Sequence, residues 1–189
     1  MKKWFLYGIL TFFTSCGQKF YTKKQYSFYD EKFILDKNSV LKTDGVYIID
    51  EVWSSIDGII SIKPENRRIY KFYENGHSNF SFQDATQTEK SNFEYVKEQV
   101  AASNERKNTL FEGYYKIEGD KIVMQNMNVP RRMFNYSYGL IEPNKLIILR
   151  TGIIEGNGKF HDKFFTKYYV ETYKFVNIEN SDSLDKPNW

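Results

Sequence analysis

Reactive side chains are scarce in this sequence. Its 189 residues hold one Cys, two His and four Pro. One Cys excludes a disulfide scaffold. With only two His beside it, a structural zinc site of four closely spaced Cys and His ligands is excluded too. The chain has no Gly-x-Ser-x-Gly elbow, no Gly-x-Gly-x-x-Gly and no phosphate-binding Gly-x-x-x-x-Gly-Lys loop. No apolar run reaches the 18 or more residues of a membrane-crossing helix. Charge of one sign is also lacking. Lys and Arg number 27 against 24 Asp and Glu, for a formal +3, so nucleic acid is not expected as a partner. With 41% hydrophobic and 27% charged residues, the chain is not a disordered polyelectrolyte.

Aromatic residues are plentiful: 16 Phe, 15 Tyr and 3 Trp, or 18% of the chain. The N-terminus is also distinctive. Met1-Lys2-Lys3 is followed by an apolar run from Trp4 to Phe13 and then by Thr14-Ser15-Cys16-Gly17. A positive start, a short apolar run and small residues after it make a secretory signal peptide. Phe13-Thr14-Ser15-Cys16 resembles the lipobox of bacterial lipoproteins, with Phe13 where that family usually has Leu. The resemblance implies diacylglyceryl transfer to the Cys16 thiol, cleavage before it and acylation of the new amino group. Several acyl chains on one residue anchor stably, where a single chain binds only marginally. Loss of Lys2 and Lys3 brings the mature chain close to neutral.

The organisation expected from this reading is a signal peptide at 1–15, a lipidated Cys16 and solvated tether at 16–43, a folded domain at 44–176 and a flexible tail at 177–189. Within the tether, Phe33-Ile34-Leu35 is the stretch able to pack on the domain. From Gly45 onward, segments of 7–12 residues rich in Val, Ile, Tyr and Phe alternate with turn signals. Among these signals, Asn75-Gly76 predicts a tight hairpin, because both residues tolerate the positive φ of a type I′ turn. One segment changes period. Phe93, Val96 and Val100 recur at helical spacing, and Ser91 with Glu94 forms a capping box. This predicts one amphipathic helix at about 89–104, laid over a barrel mouth or a sheet face. The fold class expected is mainly β: a single antiparallel up-and-down barrel of eight or nine strands. Short connections force antiparallel neighbours, and closure removes exposed edges.

Asp44-Gly45-Val46-Tyr47, the hairpin Tyr70–Gly76 and Gly113–Ile122 resemble lipocalin-like domains of bacterial lipoproteins. Gly45-x-Tyr47 stands where lipocalins carry Gly-x-Trp. The resemblance spans about residues 41–176 and implies a cup of antiparallel strands able to hold one apolar molecule.

The residues that remain for chemistry are few. His77 and His161 both read as exposed turn residues. Glu51 and Asp57 are the carboxylate pair that glycoside hydrolysis would need. No catalytic residue, metal site or cofactor is assigned, and the protein is expected not to be an enzyme. The aromatics Tyr47, Phe72, Phe80, Tyr115, Tyr169 and Tyr173 alternate along strands. Two readings stay open for them. They fill the barrel as core, since eight strands enclose just enough room for side chains, or they line a cavity with hydroxyls at its mouth. In the last strand Tyr169 and Glu171 share a face, so neither face is cleanly apolar. The function expected is that of an envelope lipoprotein, anchored through its N-terminal lipid at the outer membrane, on the periplasmic or surface side. It would bind a small apolar ligand or an envelope protein partner. The alternative is a structural or protein-interaction module of an envelope complex.

Overall fold

A computed structural model describes residues 21–54, 64, 66–83, 90–105, 112–128, 130–167 and 169–189. The expected signal peptide at 1–15, Cys16 and Asp57 lie outside the described residues. Eight strands run in chain order: β1 (Gly45–Ser54), β2 (Arg67–Phe72), β3 (His77–Gln83), β4 (Glu112–Glu118), β5 (Lys121–Asn128), β6 (Met133–Glu142), β7 (Lys145–Ile153) and β8 (Tyr169–Asn177). Each pairs antiparallel with the next, and β1 pairs with β8, which closes the barrel. The expected up-and-down topology is therefore present. Between β3 and β4 lies the one helix among the described residues, α1 (Asn92–Asn104).

Period-two alternation sends one face of every strand inward. Tyr47, Phe72, Tyr115, Ile122, Met124, Leu146, Ile148 and Tyr173 meet there with no or almost no exposure. The opposite face is covered as well, which accounts for the high aromatic content. On β4–β6, outward Tyr114, Val123, Tyr136 and Tyr138 are roofed by Tyr26 and Phe28 from before the barrel and by Phe164 from the β7–β8 connection. On β1 and β2, outward Val46 and Ile69 meet Tyr95, Val96 and Val100 of α1. The helix thus lies on a sheet face. Its start is set as the sequence predicts: Ser91 Oγ accepts from Glu94 N at 3.2 Å, and Glu94 Oε2 accepts from Ser91 N at 3.1 Å.

Several local features differ from expectation. Only Gly76 in the β2–β3 turn has positive φ, at 83°, so the turn is not type I′. The ring of Phe33 lies so near that a Cβ at Gly76 would stand 2.9 Å from it. Before the last strand, residues 162–164 form a 3-10 turn that seats Phe164 against the Tyr138 ring at 4.9 Å. Segments expected to be solvated carry anchors. Tyr26, Phe28 and Leu41 are buried before the barrel; Ile178, Leu184 and Trp189 are buried after it. Isolated apolar residues in polar segments gain a few kcal/mol each by burial, enough to hold a short segment down. His77, expected in an exposed turn, is buried between the rings of Tyr114 and Trp189, whose centroids lie at 4.6 and 5.3 Å. His161 is exposed.

Candidate functional site

All six aromatic candidates point into the barrel, and the structure divides them between two unlike ends. At the first end, Phe72 sits among Tyr47 at 5.7 Å, Tyr115 at 5.3 Å and Tyr70 at 5.9 Å, ring centroid to centroid. The segment before β1 closes this end. Leu41 joins the interior cluster, Phe33 meets the Tyr115 ring at 5.4 Å, and Leu35 N donates to Glu74 O at 2.9 Å. The hydroxyls are already used: Tyr47 Oη accepts from Lys42 N at 2.9 Å, and Tyr115 Oη donates to Tyr73 O at 2.8 Å. Burial pushes the Tyr47 phenol up to about 12 and raises that of Tyr115 as well. Both stay protonated at any physiological pH. These rings behave as core.

The second end is polar. Glu171 on β8 is 3% exposed. Its Oε1 accepts from Tyr169 Oη at 2.6 Å and its Oε2 from Tyr173 Oη at 2.6 Å. Arg68 of β2 pairs with Glu171 through Nη1, with Tyr169 Oη 3.4 Å away. Burial opposes the charge on Arg68, but the Tyr169 hydroxyl and the Glu171 carboxylate more than offset it, so the guanidinium is held above its ordinary value. Tyr70, next along the inward face of β2, is raised by burial and by Glu171, and Ser137 and Arg68 only partly oppose the rise. Ser137 Oγ in turn lies 3.1 Å from Thr151 Oγ1. The Arg68–Glu171 network joins β2 and β8 across the lumen, and Ser137 with Thr151 joins β6 and β7.

This end also faces outward. The Arg68 side chain is 29% exposed, and its guanidinium lies 5.9 Å from the ring centroid of Phe82. Phe82 is 51% exposed, although its face of β3 is the inward one. Phe80 bridges the two ends, with its ring 4.6 Å from Tyr70 and 4.8 Å from Phe82. One polar atom is left over: Arg68 Nε is buried and has no hydrogen-bond partner among the described residues. A buried donor without an acceptor costs about 1–3 kcal/mol. An arginine fork with a spare edge suits a carboxylate, carbonyl or hydroxyl oxygen of a bound molecule.

Arg68, Tyr70, Ser137 and Glu171 were not among the residues the sequence singles out. A signal existed. Glu171 stands between Tyr169 and Tyr173 on one strand face, and Arg68 stands two before Tyr70. A charge inside an aromatic alternation calls for a partner on the same face of another strand, but sequence does not say which strand. Glu51 on β1 is exposed, and its proposed partner Asp57 lies outside the described residues. Among the described residues, no group of three His, Cys, Asp or Glu is placed to hold a metal ion, and no helix is long and apolar enough to cross a membrane. No protein family, curated protein or solved structure matches the chain.

Proposed function

We propose that the protein is a lipid-anchored lipoprotein of the bacterial cell envelope, held through Cys16 at the outer membrane. It acts without catalysis, and its barrel takes a small, mainly apolar ligand at the end that carries Arg68 and Glu171. The observation that supports this reading is the Nε of Arg68, without a hydrogen-bond partner among the described residues, beside the half-exposed ring of Phe82. Together they offer one polar contact and an apolar wall to the same visitor. Burial of the ligand's apolar surface would supply the affinity, at about 25 cal/mol per Å². Arg68 and the tyrosine hydroxyls would set its orientation.

Native mass spectrometry of the protein purified from its own host tests the reading. A discrete extra mass, lost in organic solvent and absent from Arg68→Met, is the expected result. The interior beyond Tyr70 is filled by the protein's own side chains, which favours the second reading, a protein-interaction module. A bare mass for the wild type would support that reading instead. The anchor has its own test: labelled palmitate should enter the wild type and not Cys16→Ala.

A further inference from the structure

A groove of about 610 Å³ lies outside the barrel, between the segment before β1, the β2–β3 turn and the chain after β8. This size is typical of small-molecule sites. Lys71 lies along it, on the outward face of β2. Lys71 is only 5% exposed. Its Nζ donates to the carbonyl of Thr43 and sits 5.2 Å from the ring centroid of Tyr73. An ammonium has three donors, and this carbonyl is its one hydrogen-bond acceptor among the described residues. Two donors are left for a bound group. Burial pulls the amine down to about 8, against the opposing pull of Asp44, Asp182 and Glu74, so it is still largely charged at neutral pH.

The rim has the opposite sign. Asp44, Glu74, Asp182 and Asp185 all line the groove, and Lys186 offsets only one of them. Ile34, which also lines the groove, is 83% exposed, the most exposed large hydrophobic side chain among the described residues, and Leu184 lines the same groove from the tail. A simple anion would be repelled by four carboxylates before reaching Lys71. A simple cation would be drawn in and then meet Lys71. A molecule carrying both charges, separated by an apolar middle, satisfies floor, rim and wall together.

We propose that this groove is a binding site for small zwitterions, specifically short apolar peptides with free amino and carboxyl ends. The carboxylate takes the spare donors of Lys71, the ammonium takes the rim acids, and an apolar side chain covers Ile34. This site is separate from the barrel interior and does not depend on what the interior binds.

Isothermal titration of the full-length chain in detergent with leucyl-leucine tests it. The controls are N-acetyl-leucyl-leucine, which lacks the positive end, and leucyl-leucine amide, which lacks the negative one. Saturable binding of the free dipeptide, weakened about tenfold by either modification, is expected; a tenfold loss is about 1.4 kcal/mol. Lys71→Met should weaken the dipeptide by a similar factor while barrel circular dichroism is unchanged. Should that variant misfold, Glu74→Gln with Asp182→Asn changes only exposed carboxylates and should weaken the dipeptide but not its N-acetyl derivative. No saturable binding at millimolar dipeptide overturns the proposal. So does equal binding of all three compounds, or a folded variant that binds like the wild type.

Discussion

The two ends of the barrel interior are built from the same residue types and do different things. At the packed end, Tyr47, Phe72 and Tyr115 are fully buried, and the two hydroxyls bond main-chain atoms nearby. At the polar end, Tyr169 and Tyr173 give their hydroxyls to the Glu171 carboxylate, which also pairs with Arg68. A tyrosine hydroxyl that satisfies the backbone finishes a core. One that satisfies a buried carboxylate belongs to a network with charge in it, and such a network is sensitive to loss of any member. The difference teaches that aromatic content alone did not decide between core and site; what the hydroxyls bond to did.

Cutting into the packed end should have the largest effect. Phe72→Ala removes a ring in contact with three others and should cost about 3–5 kcal/mol in urea unfolding. A loss below about 1 kcal/mol would mean that this end is not close-packed.

The outer wall of the same end should respond to acid. Burial lowers His77 to about 4 from an ordinary value near 6.5. Between these values the unfolded chain binds the extra proton and the folded chain does not. Stability is therefore full above about 6.5 and falls as pH drops toward 4, by up to about 3 kcal/mol. His77→Phe should flatten that part of the stability-against-pH curve. An unchanged slope would place the acid sensitivity elsewhere.

The polar end should show a different pattern, in which pairs matter more than single residues. Glu171→Leu leaves Arg68 and two hydroxyls without their acceptor. A destabilisation of about 2 kcal/mol is expected, below the 3–5 kcal/mol of a fully enclosed pair because Arg68 is partly exposed. Adding Arg68→Met should recover most of that loss, since an apolar pair of similar volume is often neutral in a core. If the double variant is no better than the single, the two side chains are not coupled. The polar end would then hold no coupled network.

The pattern along the chain made much of the fold legible. Alternation with short turns required antiparallel neighbours, and the Phe93, Val96 and Val100 spacing with the Ser91–Glu94 box placed the helix within a few residues of Asn92–Asn104. Which side of the barrel the helix covers was not legible, because Val46 and Ile69 become its platform only after β1 and β2 pair. Tyr26, Phe28 and Trp189 were read as solvated for the same reason: each is an isolated ring in a polar stretch, and its burial depends on outward Tyr114 and Tyr136 being adjacent across β4–β6. The alternation of the aromatic candidates was legible, but the facing of Tyr169 and Tyr173 was not, because Glu171 stands between them on the same face. The division of the six candidates into core and network was out of reach, since Arg68 and Glu171 are 103 positions apart and meet only because β1 lies between β2 and β8 in the closed barrel.

By itself, then, the sequence determined a mainly β chain that closes on itself, a helix at one point along it, and rings that alternate along the strands. These follow from side-chain periodicity and turn chemistry, which act between residues close in the chain. The tertiary structure alone decided that a charge pair sits inside one end, that the flanking segments fold back to cover the outer walls, and that they leave a groove beside Lys71. Those features depend on which distant strand faces become neighbours, and only closure of the barrel sets that.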